Sequence, residues 1–147
     1  MSIRWRWNCV PTIIMTIKPR HLRNMASGIK RYELRKTRPM RVDDDRCHVL
    51  LCVSGGGGDI VAEFTMDRYV DLTRADPMEI ARLACITAAE AEGYRRKGRG
   101  KLYGWGVKDF RMYPVKGRPL HIGDIGLDRP PQSWQYVRVP YGDIKIN

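Results

Sequence analysis

Four consecutive glycines, Gly55 to Gly58, separate HVLLCVS (48–54) from DIVAEFTM (59–66). Both flanks are rich in aliphatic and β-branched residues. In the second, Ile60, Ala62, Phe64 and Met66 alternate with Val61, Glu63 and Thr65. Alternation with period two places one set of side chains on a buried face, and a short glycine connection lets two such runs fold back on each other. The pair is therefore expected to form an antiparallel hairpin, which commits the chain to at least one sheet. The glycines lack the lysine and hydroxyl spacing of a phosphate-binding loop, and no helix signal follows them. They are read as a mobile hairpin tip, able to act as a flap.

The remaining elements follow from breakers and caps. TIIMTI (12–17) is a β-branched run stopped by Pro19, hence a strand. Pro19 opens a short helix with Leu22, Met25 and Ala26 on one face, and Gly28 supplies the left-handed residue that ends it. Residues 30–36 read as the next strand. Asp76-Pro77-Met78-Glu79 and Thr87-Ala88-Ala89-Glu90 are both helix starts with a cap and a glutamate three residues on. The second helix ends in Arg95, Arg96 and Lys97, where positive charge suits the negative end of the helix dipole. KLYGWGVKDFRMY (101–113) reads as one long aromatic strand, and RPPQSWQYVRVP (129–140) as a Pro-Pro turn leading into a last strand. Helices and strands do not alternate regularly, so the expected class is α+β, mainly β. A small barrel of five or six strands with two or three short helices fits better than a βαβ scheme.

At 147 residues the chain is long enough for one domain with its own core. The divisions expected are an N-terminal extension (1–11), a single domain (12–140) and a C-terminal tail (141–147). No apolar run nears the roughly 20 residues of a membrane helix, and the N-terminus lacks a signal-peptide pattern. A cytoplasmic protein without membrane contact is expected, its four cysteines Cys9, Cys47, Cys52 and Cys85 reduced. Cys47-His48 and Cys52 suggest zinc on paper. Positions five apart on a strand face opposite ways, however, and cannot share a metal. No metal and no cofactor is expected.

A formal net charge of +11 favours polyanionic partners, nucleic acid first. Against it stands the ordinary use of basic surfaces for solubility. The segment RRKGRGK, with Arg95, Arg96, Lys97, Arg99 and Lys101, is the densest positive patch and a candidate to track phosphates. In MSIRWRW, Arg4 and Arg6 alternate with Trp5 and Trp7, which suits either a nucleic-acid arm or tryptophans packed on the domain.

A second concentration of charge lies in SGIKRYELRKTRP (27–39). On a strand, Tyr32 and Leu34 face one way while Glu33 and Arg35 stand side by side on the other, about 7 Å apart at the backbone. Lys30, at the turn before the strand, can lean over the same face. One carboxylate between two cations stays ionised and offers donors and acceptors together. The competing reading is an exposed ion-pair cluster of small energetic value. His21, on the first helix, is read as a surface residue.

The same segment, GIKRYELR (28–35), fits G-x-K-x-x-E-x-R and resembles the signature of ASCH domains in the PUA-like superfamily. MTIKP (15–19), VAEFTMDRYV (61–70), Glu90 to Tyr94, Tyr103-Gly104-Trp105 and RPPQSWQYV (129–137) resemble further family elements in the expected order. The resemblance implies a PUA-like β-barrel that binds RNA or a modified nucleoside in a cleft. Carried over by position, the cleft would be lined by Gly28, Lys30, Glu33 and Arg35, with Tyr94, Tyr103, Trp105 and Ser133 as further contacts. Tyr103 or Trp105 would offer a stacking surface. DNA as a partner stays open.

Some relatives are enzymes, which gives a second reading: a nucleoside amidohydrolase acting on acetylated cytidine, or a ribonuclease, using Lys30 and Glu33. In the amidohydrolases a threonine occupies the position of Glu33, so this chain departs from their catalytic group. Glu33 would have to orient a water, with Lys30 as acid or electrostatic stabiliser. None of His21, His48 and His121 lies in the motif, so histidine-pair ribonuclease chemistry has no support here. A third reading is a protein-interaction module or inhibitor encoded by a mobile element, with a protein partner.

Overall fold

A computed structural model describes residues 11–39, 46–97 and 100–138. Among them are eight strands and three α-helices. In chain order these are β1 (Thr12–Ile17), α1 (Pro19–Ala26), β2 (Tyr32–Arg35), β3 (Cys47–Val53), β4 (Ile60–Met66), β5 (Tyr69–Asp71), α2 (Pro77–Ala84), α3 (Ala88–Lys97), β6 (Tyr103–Gly106), β7 (Lys108–Met112) and β8 (Trp134–Val137). A 3-10 turn, Ile122–Ile125, precedes β8. The class is α+β, mainly β, as expected. No helix among the described residues is long and apolar enough to cross a membrane.

The strands form two sheets, β7-β4-β3-β1-β8 and β2-β6-β5, and neither closes on itself. The small barrel of five or six strands expected from the sequence takes the form of eight strands in two facing sheets that do not close. What joins them is the segment expected as one strand over 101–113. It breaks at Val107, pairing with β2 and β5 before the break and with β4 after it. The break follows from the run Tyr103-Gly104-Trp105-Gly106: aromatic side chains fill one face, while the other has none, so neighbours close in on it. A Cβ on Gly104 would meet Leu72 at 3.1 Å and Tyr32 at 3.3 Å.

The glycine hairpin forms as expected, β3 and β4 running antiparallel. A register shift between Leu51 and Cys52 turns Ile60 to the sheet's outer face, away from Ala62, Phe64 and Met66. The parallel pairing of β1 with β3 was not legible, since it requires α1 and β2 to cross between them.

Alternation sorts the large sheet's side chains. Ile13, Met15, Ile17, Val49, Leu51, Phe64 and Met66 form the core against the small sheet, joined by Leu22 and Met25 of α1 and by Trp105. Ile14, Leu50, Cys52 and Ile60 face outward under Ile122 and its neighbours. On the far side of the small sheet, Leu34 and Leu72 meet Ile80, Ala84 and Ala91 of α2 and α3. Cys47 and Cys52 consequently sit on opposite faces, in separate clusters. Burial pushes the Cys47 thiol up to about 12.

The glycine tip is not left loose. The His121 ring lies 2.9 Å from the Gly57 carbonyl, and its Nδ1 accepts from the Gly123 amide at 3.0 Å, so Nε2 carries the proton and donates. Gly58 has φ +93, and a Cβ there would sit 2.9 Å from His121 Nε2 and 3.0 Å from Ile122. Gly58→Ala is therefore expected to destabilise by about 2–4 kcal/mol, combining left-handed strain with overpacking. A shifted urea midpoint checks this, with Gly57→Ala, which meets nothing within 4 Å, as the milder control.

Candidate functional site: a buried charged cluster at the head of β2

The turn after α1 aims the cluster. Gly28, at φ +81, donates its amide to the Met25 carbonyl, and the Lys30 amide reaches back to Asn24. That reversal sends the Lys30 side chain inward, while Gly28 itself is exposed and lines nothing. Gly28 thus positions the site rather than contributing to its surface. Lys30 is 2% exposed, and its ammonium donates to the Ala84 carbonyl at 2.6 Å. Ala84 ends α2, where the dipole is negative and favours a cation. Burial, opposed mainly by the charge of Glu33, still lowers the Lys30 pKa.

Glu33 and Arg35 share a face of β2, as alternation predicts, in register with Trp105 and Tyr103. That face looks into the space between the sheets, so the alternative of an exposed ion-pair cluster fails: Glu33 is only 4% exposed. Its Oε1 accepts from the Leu34 amide at 3.0 Å and lies 3.9 Å from Arg35 Nε. The Arg35 fork spans two elements, donating to the Thr16 carbonyl at 2.9 Å and to Ser133 Oγ at 3.0 Å. Glu33 Oε2 and Arg35 Nε are buried yet make no hydrogen bond to the protein.

Tyr94 of α3 is half-buried, its hydroxyl pKa raised first by burial and then by the negative charge of Glu33. Ser133 joins the group through Arg35. Tyr103 is partly buried, with the Arg38 guanidinium 5.8 Å from its ring centre and 4.2 Å from that of Tyr69. Trp105 does not fit the expected role. It is fully buried, donates to the Thr37 carbonyl at 3.1 Å and meets Trp134 edge-on at 5.3 Å, so it has no open face for a base.

His21 was expected at the surface, and this is corrected: it is 4% exposed and senses the charges of Lys30 and Glu33. The readable signal was its position four residues before Met25, on the buried face of α1. Of the basic patch, Arg95 is turned inward, donating to the Thr73 carbonyl at 3.1 Å, while Arg96 and Lys101 are exposed. Arg99 and the Lys97 side chain lie outside the described residues, as do Arg4 to Trp7, Cys9 and the C-terminal tail.

Thr87 and Glu90 form the expected reciprocal cap, the Glu90 amide donating to Thr87 Oγ at 3.1 Å. Glu90 also binds Arg20, which holds its carboxyl down to about 2 and ties α3 to α1. A carboxyl depressed in the fold stabilises above its unfolded value, near 4.5, and that contribution disappears as pH falls toward 2. Glu90→Gln is therefore expected to lower the urea midpoint slightly at pH 7, the difference vanishing by pH 2. A difference independent of pH would refute the assignment.

No family model and no curated protein matches the chain. Solved structures do. The ASCH protein of Zymomonas mobilis is 17% identical, with 87% of this chain and 88% of that one superposed at a TM-score of 0.67. A Tyr-to-Phe mutant of the same protein gives 17%, 87%, 91% and 0.67.

Proposed function

We propose that this chain, which has the fold of an ASCH domain, binds RNA or a modified nucleoside through the cluster at the head of β2. The observation that carries the reading is a pair of buried atoms on ion-paired side chains, Glu33 Oε2 and Arg35 Nε, neither of which makes a hydrogen bond to the protein. Leaving such groups unsatisfied costs about 1–3 kcal/mol each, so sites of this kind are retained where a ligand completes them. An acceptor beside a donor matches the hydrogen-bonding edge of a base. Tyr103 supplies the stacking surface, and the exposed Arg96 and Lys101, with the net charge of +11, draw in the phosphate backbone.

Fluorescence anisotropy with short RNAs tests this. Affinity is expected to fall about 50-fold between 50 and 200 mM salt if roughly four phosphates are contacted. Lys30→Ala should cost at least about tenfold at fixed salt by releasing Glu33 and the end of α2. Binding indifferent both to salt and to Lys30→Ala would sink the reading.

One observation favours a hydrolytic second reading. Burial lowers the pKa values of both His21 and Lys30, and both feel the charge of Glu33, which suits a proton donor and acceptor acting on a water at an acylated base. Release of acetate from acetylated cytidine, lost in Glu33→Gln, would establish it.

A further inference from the structure

We infer that Arg38, which lies beyond the G-x-K-x-x-E-x-R segment, grips a phosphate of the ligand, and that the rings of Tyr69 and Tyr103 hold it in place to do so. The inference deepens the nucleic-acid reading and rests on it for the identity of the ligand. It starts from a comparison of arginines. Among the described residues, Arg35, Arg38 and Arg95 are the arginines partly withdrawn from solvent. Arg35 donates to Thr16 and Ser133, and Arg95 to Thr73. Arg38 makes neither a hydrogen bond nor an ion pair with any described residue. Its guanidinium rests on aromatic rings instead, 4.2 Å from the centre of Tyr69 and 5.8 Å from that of Tyr103.

The backbone on both sides fixes this pose. The Thr37 carbonyl accepts from the Trp105 indole at 3.1 Å, and its hydroxyl accepts from the Trp134 indole at 3.0 Å. Pro39 is buried, and a residue before proline is confined to extended backbone. The two rings belong to the face that carries the charged cluster. Tyr103 is paired with Arg35, while Tyr69 and Glu33 are both paired with Trp105. Residues directly opposite on antiparallel strands share a face, so Tyr69, Tyr103, Glu33 and Arg35 look into the same space.

The chemistry of the open group then selects the ligand. A guanidinium has five N–H donors, no acceptor and a permanent charge. Contact with an aromatic face engages the charge but supplies no hydrogen-bond acceptor of ordinary strength. Those donors therefore suit an acceptor-rich anion, and their fork matches two oxygens of a phosphate at once. Asp71, paired with Tyr103, is exposed, accepts from the Thr73 amide at 2.9 Å and forms no ion pair with Arg38. Because the side chain is already ordered, little conformational freedom is lost when the anion arrives. Arg96 and Lys101 attract the chain from outside, whereas Arg38 fixes one phosphate beside the ring that stacks the base.

The test compares the four ribonucleosides with their 5′-monophosphates, inorganic phosphate and a short RNA, on full-length wild type, Arg38→Ala, Arg38→Lys and Tyr69→Leu. Each monophosphate is expected to bind at least about tenfold tighter than its nucleoside, an advantage lost in Arg38→Ala and partly kept in Arg38→Lys. Tyr69→Leu, which keeps the charge but loosens it, should lose about threefold. The slope of log affinity for RNA against log salt should fall by about 0.7 in Arg38→Ala, the share of one phosphate on a single strand. Inorganic phosphate should move the Arg38 Nε–H resonance in the unmutated protein, a readout that misfolding of a variant cannot mimic. If Arg38→Ala weakens nucleosides and monophosphates alike, the residue meets the base or only holds the fold, and the inference is overturned. If RNA binds with the same salt slope in Arg38→Ala, the inference fails and the nucleic-acid reading stands. If phosphate moves the Arg38 resonance while neither nucleosides nor RNA bind, the anion site is as described and the nucleic-acid reading fails. Silence from every probe overturns both.

Discussion

Replacing Arg35 with alanine is expected to destabilise the protein by about 3 kcal/mol and to lower its melting temperature by roughly 10 °C. Three losses coincide. The Thr16 carbonyl and Ser133 lose the donor that ties β1 and the start of β8 to β2. Glu33 loses the guanidinium it pairs with while remaining buried. Lys30 still faces Glu33, which keeps the cost at the low end for a broken buried pair. Arg35→Lys should recover only part, because an ammonium cannot span Thr16 and Ser133 at once as the planar fork does. A cycle with Glu33→Gln separates charge from packing. In the Arg35→Ala background, neutralising Glu33 should cost little or even restore stability, whereas in the wild type it should cost more. Strictly additive effects in thermal or urea denaturation would mean that the two side chains do not act as a pair.

Trp105→Ala is expected to cost more, about 3–5 kcal/mol, as for other fully buried large aromatic residues. The indole fills the space between the two sheets, contacts Trp134 edge-on and donates to the Thr37 carbonyl. Thr37 also receives the Trp134 indole N–H on its hydroxyl, so this residue just past β2 is clipped by two rings. Trp105→Phe should retain much of the packing and lose the hydrogen bond, for a loss of roughly 1–2 kcal/mol. If Trp105 were instead a stacking surface for a base, Trp105→Ala would weaken RNA binding while leaving the melting temperature near that of the wild type.

The fold was legible where local chemistry decides it. β1 declared itself through its β-branched run and Pro19, the hairpin through its glycines and alternation, and α2 and α3 through Asp76 and Thr87 with their caps. Long-range choices were not legible. Whether strands close into a barrel or divide between two sheets depends on pairings such as β1 with β3 and β8, which no local pattern encodes. The division at Val107 was hidden because Tyr103 to Met112 has strand propensity throughout; only the glycines at 104 and 106 hinted that one face was special.

The site was legible to the same extent. Alternation alone placed Glu33 and Arg35 on a common face opposite Tyr32 and Leu34. It could not say that this face looks inward, because charged residues in a strand normally mark the solvent side. His21 was missed for a related reason, since Arg20 and Arg23 on either side make that stretch of α1 look exposed, while the spacing to Met25 says otherwise. Trp105 was misjudged in the opposite direction, an aromatic residue beside a cluster being read as available when it is the filling of the core.

Among the described residues β1 has β8 as its neighbour, and Arg35 takes one of its anchors, Ser133, from the turn just before β8. During synthesis, Lys30, Glu33 and His21 leave the ribosome about a hundred residues before Ser133 does. Through that interval the edge of β1 that will receive β8 is open, and of the two anchors of its terminal nitrogens Arg35 has only Thr16. A message truncated before residue 133 would therefore yield a chain that carries the whole G-x-K-x-x-E-x-R motif and still cannot fix its arginine. Possession of the motif and possession of the site are separated by the translation of about a hundred further residues.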